Sequence, residues 1–156
     1  MTVITPERMI IEHSRPDDPC GPSRAHWISE AGGLTQFGAF VHVLAPGSRT
    51  SFKHWHSAED ELVYVLDGAV TLDEGESETL LRAGDAATFK AGEPVGHRLV
   101  NRSDADVRLL VVGTRAPADT ITYPDHDRVC RRGGEAPGDS WVDGKGNRAT
   151  NPYIQP

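Results

Sequence analysis

Two histidines and a glutamate in one short segment, His54, His56 and Glu61, have the side chains and the spacing of metal ligands. Side chains two apart on an extended strand point to the same side, and at a rise of about 3.3 Å per residue both imidazoles can reach one ion. On a helix they would diverge by about 200°, so the spacing favours a strand. Residues 57–60 have the composition of a turn, after which Glu61 can fold back beside the histidines. Together with His97, these residues would provide three imidazoles and one carboxylate for a divalent transition metal.

The segment from residue 47 to residue 68 resembles the first sequence motif of the cupin family. The matching residues are Gly47, His54, His56, Glu61 and Gly68. One more residue than usual separates the first glycine from the first histidine. The family spacing, with six residues between the glutamate and the closing glycine, selects Glu61 as the ligand rather than Glu59 or Asp60.

The second cupin motif runs in the family from a glycine through P-x-G-x2-H-x3-N. This chain has Gly84, then KAGEPVGH over residues 90–97, then Asn101. Lys90 stands where the family has proline, and two extra residues separate the Ala-Gly turn from His97. Because the histidine and the asparagine still fit, the departure affects the shape of the loop more than the number of ligands. The resemblance covers about residues 34 to 114, roughly half of the chain.

The resemblance implies one bound divalent transition metal. Its ligands would be His54, His56, Glu61 and His97. Iron is the expected ion, with manganese, nickel or zinc as alternatives. Four protein ligands leave two adjacent positions on a six-coordinate ion, enough for a chelating substrate or for one substrate atom plus dioxygen.

Cupins include dioxygenases, decarboxylases, isomerases, lyases and binding proteins, and the fold alone does not choose among them. We expect an enzyme, most simply a dioxygenase, that acts on a small oxygenated organic molecule. A non-catalytic metal-containing sensor or binding protein stays open as an alternative, as does a metal-dependent isomerase or lyase. A metal-free sugar epimerase of similar fold would use a histidine–aspartate base, and the full ligand set disfavours it.

Composition limits the partners of the chain. It has 156 residues, of which 37% are hydrophobic and 25% charged, as in one soluble globular domain. A net charge of −7 provides no basic face for nucleic acid or an anionic membrane, so the expected partner is a small molecule. Residues 1–12 do not resemble a signal peptide, and no apolar run approaches the about 20 residues of a membrane span. With only Cys20 and Cys130, far apart, we expect reduced thiols and a cytoplasmic protein.

Short strands separated by turn residues fill the centre of the chain and predict an all-β jelly-roll barrel, also called a double-stranded β-helix. The predicted strands are residues 35–44, 50–55, 61–66, 69–73, 79–82, 86–89, 97–101 and 108–114. The barrel covers residues 34–114, and the arms at residues 1–33 and 115–156 are interpreted as loops that pack on it. Strand 108–114 is apolar on both faces, so its outer face should be covered, either by an arm or by the second subunit of a homodimer.

Five further residues are candidates to line the barrel mouth: Gln36, Phe40, Phe52, Phe89 and Asn101. Of these, Asn101 is expected to hydrogen-bond at a strand end rather than to bind the metal. His42 could serve as an additional catalytic base, but alternation places it opposite Val41 and Val43, and a structural or surface role is favoured. The sequence identifies no catalytic residue beyond the metal ligands.

Overall fold

The computed structural model describes residues 2–133 and 138–154. The remaining positions, 1, 134–137 and 155–156, belong to the predicted arms and lie outside the described residues. In chain order, the strands are β1 (Ile10–His13), β2 (Ser23–Trp27), β3 (Phe37–Leu44), β4 (Trp55–His56), β5 (Glu61–Asp67), β6 (Ala69–Glu74), β7 (Ser77–Arg82), β8 (Ala86–Phe89), β9 (His97–Val100), β10 (Val107–Thr114), β11 (Ala118–Tyr123), β12 (Arg128–Gly133) and β13 (Ser140–Val142). Helix α1 (Ser29–Gly32) and 3-10 turns at Pro6–Arg8 and Pro124–His126 complete the described elements. None of the described helices has the length and the apolar character that spanning a membrane would require.

Two antiparallel layers face each other. One is a six-stranded sheet in the order β1-β2-β3-β10-β5-β8. The other combines β7-β6-β9 with β13-β12-β11-β4, and isolated bridges from His54 to His97 and from Arg49 to Val100 join its two halves. The predicted all-β jelly roll is therefore confirmed.

Strand alternation places the main core between the layers. Along β5, Val63 and Val65 are fully buried, whereas Leu62, Tyr64 and Leu66 are partly exposed on the other side. The inward residues of neighbouring strands complete one apolar cluster. Its buried members are Leu44, Val63, Val65, Val70, Leu72, Leu81, Phe89, Leu99, Val107, Leu109 and Val111. This cluster fills the space between the layers, and two of its members, Phe89 and Val111, border the polar residues described below.

Gly47 and Gly68, which bound the first sequence motif, are both required by backbone geometry. Their φ angles are +80° and +85°, and glycine adopts this region readily whereas residues with a Cβ atom do not. A Cβ atom on Gly68 would also lie 3.1 Å from Cγ2 of Val107. The glycine at position 68 thus permits the tight turn between β5 and β6.

The arms form strands, which corrects the prediction of loops. In the N-terminal arm, β1 and β2 extend the six-stranded sheet beyond β3, and in the C-terminal arm β11, β12 and β13 extend the opposite layer. The sequence of β2, SRAHW, has no strong strand pattern, so its conformation depends on pairing with the edge of β3. A second buried cluster anchors the C-terminal arm, with members Cys20, Phe52, Ile121, Tyr123 and Cys130. Both cysteines are free and buried.

The outer face of the six-stranded sheet carries an apolar stripe, which we define as Leu62, Tyr64, Leu66, Leu110 and Val112. Leu62, Tyr64 and Leu66 are 37%, 39% and 40% exposed, and the two β10 residues are half-buried. Because β1 and β2 join the sheet edge to edge, the N-terminal arm does not cover this stripe. A second copy of the chain therefore remains the covering surface that we propose, in a twofold-symmetric dimer.

We predict that sedimentation at micromolar concentration gives twice the monomer mass. The double variant L62E/Y64E should sediment as a monomer, because charges would then lie within the stripe. Leu80→Glu is the matched control, since Leu80 is 53% exposed on β7 in the other layer and its variant should stay dimeric. A monomeric wild-type chain at this concentration would refute the proposed dimer.

Candidate metal centre

The four predicted ligands meet in the barrel interior around one carboxylate oxygen. Nε2 of His54 and Nε2 of His56 each lie 3.9 Å from Oε2 of Glu61. Nε2 of His97 lies 3.6 Å from the same oxygen. Two atoms bound to one ion at about 2.1 Å are roughly 3 to 4 Å apart, so each nitrogen has a separation from Glu61 that a shared ion permits. The ligand atoms of His54, His56 and Glu61 all lie within 4.8 Å of one another, whereas His97 approaches Glu61 but falls outside that group.

His97 provides a test of whether this cluster fits a metal. Its side chain is 3% exposed, and neither ring nitrogen has a hydrogen-bond partner among the described residues. Phe89 stacks on the imidazole, with ring centroids 3.5 Å apart and planes 2° apart, so the ring is held in place. A buried polar atom without a partner costs about 1–3 kcal/mol, and coordination through Nε2 would satisfy it. Three imidazoles and a carboxylate are donors suited to Fe²⁺, Mn²⁺, Ni²⁺ or Zn²⁺.

Backbone hydrogen bonds between His54 and His97 orient both side chains towards Glu61. The amide of His54 donates to the carbonyl of His97 at 3.1 Å, and the amide of His97 donates back at 2.9 Å. A strand was predicted over residues 50–55, but residues 50–54 are irregular. Regular strand structure begins only at β4. Nδ1 of His54 lies 3.0 Å from the carbonyl oxygen of Phe52, which fixes the ring and leaves Nε2 facing Glu61.

His56 is oriented by Asp119, a residue that sequence reasoning missed. Nδ1 of His56 donates to Oδ2 of Asp119 at 2.6 Å, and the Asp119 side chain is completely buried. The other carboxylate oxygen accepts hydrogen bonds from the Ser57 hydroxyl at 2.9 Å and from the Ala58 amide at 2.8 Å. Asp119 lies on β11, outside both sequence motifs, so only the fold of the C-terminal arm reveals its role. It forms with His56 and Glu59 a second group of metal-type donors behind the first.

Electrostatics keep the cluster in the form that binds cations. Burial alone would raise the pKa of the Glu61 carboxyl, but the imidazoles of His97, His54 and His56 outweigh burial and lower it below its ordinary value. Burial lowers the pKa of His54 to about 4, although Glu61 opposes this change. A deprotonated carboxylate and a neutral imidazole, as required of metal ligands, are therefore the forms present at neutral pH.

A small pocket of about 120 Å³ adjoins the cluster, and we call it the inner pocket. It is lined by Phe40, His42, Thr50, Ser51, His54, Glu61, His97 and Val111. A structural or surface role was predicted for His42; it is 9% exposed and lines this pocket, so it is not a surface residue. Phe40 lies beside it, as predicted for a residue at the barrel mouth.

A wider cavity of about 510 Å³ opens outside the inner pocket and shares Phe40, Glu61 and Val111 with it. We call this the outer cavity. Two arginines, Arg115 and Arg132, line it together with Trp27 and Glu59. A ligand could therefore enter past cationic side chains before its far end reaches the metal ligands.

Three predicted pocket residues lie elsewhere. Gln36 is exposed ahead of β3, and Phe52 belongs to the second apolar cluster, 3.9 Å from the ring centroid of His126. Asn101 is fully buried, and its Nδ2 donates to the carbonyl oxygens of Leu44 and Ala105, so it shapes the end of β9. Phe89 lines neither the inner pocket nor the outer cavity, but it stacks on His97 and borders a separate small pocket beside His56 and His97.

Comparison with known proteins identifies the family. The family model described as "Cupin domain" matches residues 40–113. Protein SchB from Streptomyces halstedii is 32% identical over 110 residues, which are 70% of this chain and 78% of that protein. The chain therefore belongs to the cupin superfamily.

Solved structures extend the similarity to the arms. A sugar phosphate isomerase of the cupin superfamily from Silicibacter pomeroyi is 32% identical, with a TM-score of 0.86 over 99% of this chain and 100% of that one. A putative sugar phosphate isomerase from Acidithiobacillus ferrooxidans is 25% identical, with a TM-score of 0.83 over 96% of each chain. A predicted oxalate decarboxylase from Thermotoga maritima, 21% identical with a TM-score of 0.62, covers 74% of this chain and all of its own, and supports the fold alone.

We predict that Asp119→Asn weakens metal binding by about 10- to 100-fold, because the neutral amide no longer holds and polarises the His56 ring. Competition with a chromophoric chelator measures this affinity. Asp125→Asn is the matched control, since Asp125 is 46% exposed on a surface turn and its variant should bind metal like the wild type. Unchanged affinity in Asp119→Asn would show that the aspartate serves the backbone of residues 57–58 only.

The metal-free protein should lose stability in mild acid through His42. Burial lowers the pKa of His42 to about 4, while Asp18 and Glu61 act in the opposite direction. The unfolded chain takes up this proton near pH 6.5 and the folded chain only near pH 4, so stability falls as pH drops between these values. The loss from His42 is about 2 kcal/mol between pH 7.5 and pH 5.

Urea unfolding at the two pH values measures this loss. In His42→Leu the difference in unfolding free energy between pH 7.5 and pH 5 should shrink by this amount. Removal of an exposed imidazole, in His13→Leu, should leave the difference unchanged. Equal pH dependence in wild type and His42→Leu would contradict the prediction.

Proposed function

We propose that the chain is a metal-dependent isomerase of small phosphorylated sugars. The observation that carries this proposal is the similarity over almost the whole chain, arms included, to the sugar phosphate isomerase from S. pomeroyi. The arms matter because one supplies Asp119 and both line the outer cavity. Similarity limited to the barrel would support the fold and not the reaction.

In this proposal one divalent ion is held by His54, His56, Glu61 and His97. When bound, the ion supplies Lewis acidity, which polarises a carbonyl group or acidifies a hydroxyl group. Isomerisation does not require a redox-active metal, so iron, manganese, nickel and zinc all suit this donor set. The expected preference for iron belongs to the oxygen-dependent alternative.

The cavities suit a small substrate with an anionic end. The inner pocket of about 120 Å³ admits only a few atoms beside the cluster. Arg115 lies at the outer cavity, where its guanidinium contacts Glu30 and the Leu34 carbonyl. Arg132 also lies there, with Nε 3.7 Å from Asp139. A guanidinium has five N–H donors, so both arginines retain donors for a phosphate group.

A dioxygenase is the second candidate function. The four-ligand set leaves two adjacent coordination positions, which is the arrangement needed to bind substrate and dioxygen together. A non-catalytic binding protein would use the same cluster and cavities without turnover. Substrate conversion, oxygen uptake and ligand binding separate the three possibilities.

The double variant H54A/H56A should lose stoichiometric metal, because two of four ligands are removed. Metal analysis after reconstitution with Fe(II), Mn(II), Ni(II) or Zn(II) measures this loss. H13A/H126A, which removes two histidines from the arms, is the matched control and should keep one equivalent. A folded H54A/H56A protein that retains a full equivalent of tightly bound metal would refute the proposed site.

The reconstituted protein should interconvert aldose and ketose phosphates under strict anaerobiosis. The assay offers each metal form a panel of three- to six-carbon sugar phosphates and their unphosphorylated parents, and nuclear magnetic resonance follows the products. Phosphorylated substrates should be preferred, and the reaction should stop with chelator or in H54A/H56A. Oxygen uptake coupled to product would support the dioxygenase instead. Saturable binding without turnover for any metal form would support a binding protein.

A further inference from the structure

The inner pocket contains one ionisable side chain outside the proposed ligand set, His42. It lies near the centre of β3, paired with Ala25 of β2 and Leu109 of β10, so rigid strands flank it on both sides. The side chain is 9% exposed and shares the pocket with His54, Glu61 and His97. A group held in this way has one fixed position relative to any substrate in the pocket.

His42 also lacks a structural reason to be polar. Among the hydrogen bonds of the described residues, none involves its ring nitrogens. Its nearest aromatic neighbour is Phe40, 5.6 Å between ring centroids, and its partner on β10 is the fully buried Leu109. The nitrogens of His42 are not among the buried side-chain atoms that lack a partner, so the ring is open to the inner pocket rather than sealed in the apolar core. A neutral imidazole has one nitrogen with a free lone pair, which is what a proton acceptor needs.

We propose that His42 is the catalytic residue that carries the proton between the two reacting carbon atoms of the substrate. This inference rests on the proposed isomerase function. The imidazole removes the proton from the hydroxyl-bearing carbon, and the electron pair of that C–H bond forms the double bond of an enediol as the carbonyl oxygen takes up a proton from water. The imidazolium then returns its proton to the former carbonyl carbon. The other hydroxyl group releases a proton and its oxygen becomes the new carbonyl, so no oxidant or reductant is consumed.

Glu59 is the competing base, and its position argues against it. Its Oε2 lies 3.8 Å from Nδ1 of His56, which is the ring nitrogen that faces away from Glu61. Its Oε1 accepts a hydrogen bond from the amide of Ala116 at 2.9 Å. Glu59 therefore lies behind a proposed metal ligand and outside the lining of the inner pocket, whereas His42 lies within it.

The test compares His42→Gln with the matched control His26→Gln in the metal-loaded protein. His26 is also a partly buried histidine without a partner for Nε2, but it lies on β2 opposite Val41, on the other face of the sheet. We expect kcat of His42→Gln to fall by about 100-fold or more, in the range of a lost general base, while KM changes less than about threefold. Exchange of the substrate C–H hydrogen with deuterium from heavy water should fall in parallel. His26→Gln should keep wild-type kcat and exchange.

Two further measurements separate catalysis from structure. Metal content and the chelator-competition affinity of His42→Gln should equal those of the wild type, since a lost metal would make His42 a ligand and overturn the proposal. In the smaller variant His42→Ala, added imidazole should restore at least part of the exchange rate. Exchange at the wild-type rate in His42→Gln, or loss of exchange in Glu59→Gln with His42→Gln unaffected, would also overturn it. Wild-type protein that isomerises nothing refutes the proposed function itself, and with it this role for His42.

Discussion

The pair of backbone hydrogen bonds between His54 and His97 is the contact on which the candidate site depends. These bonds, 3.1 and 2.9 Å long, join the two halves of the second layer where regular pairing is interrupted. Each of the two sequence motifs contributes one side of the bridge, so the fold brings their imidazoles to within 5.0 Å between ring centroids. β9 and β4 lie in separate sheets, and this bridge, beside the one between Arg49 and Val100, holds the proposed metal ligands of both motifs in a common position.

Apolar and charged side chains occupy different parts of the barrel interior. Aliphatic side chains fill the space between the layers, and Phe40, Phe89 and Val111 surround the histidines at the edge of that space. This lining limits the water that reaches the cluster, so charges there interact more strongly than they would in solvent. The arginines stay at the outer cavity, where a substrate anion can remain partly hydrated. In the proposed function, the reaction and the recognition of the substrate's charge would take place in two cavities that share Phe40, Glu61 and Val111.

The sequence predicted those parts of the structure that follow from local pattern. Alternation in β5 and β10 and the glycine turns were sufficient for the jelly roll, and motif spacing was sufficient to bring His54, His56, Glu61 and His97 together. The strands of the arms were missed because they are short and mix polar with apolar residues, although β1 pairs with β2 and β11 with β12 as neighbours in sequence. Phe52 was assigned to the pocket because alternation was assumed through residues 50–54, where the backbone is irregular.

The positions of His42 and Asp119 could not be predicted from the sequence, for two different reasons. His42 was noticed from its strand, but alternation defines two faces without saying which one encloses a cavity. Asp119 has no local signal at all, because its partner His56 lies 63 positions away. Only the packing of β11 against β4 reveals that contact.

The position of Asp119 has a consequence for how the molecule responds to metal supply. A strand outside the barrel motifs completes the environment of a proposed ligand, so binding of an ion and docking of β11 favour each other by thermodynamic linkage. Scarcity of the ion would then loosen the C-terminal arm before the barrel, since the barrel has its own apolar core. The arm would act as a local reporter of occupancy, closed over a loaded centre and more open over an empty one.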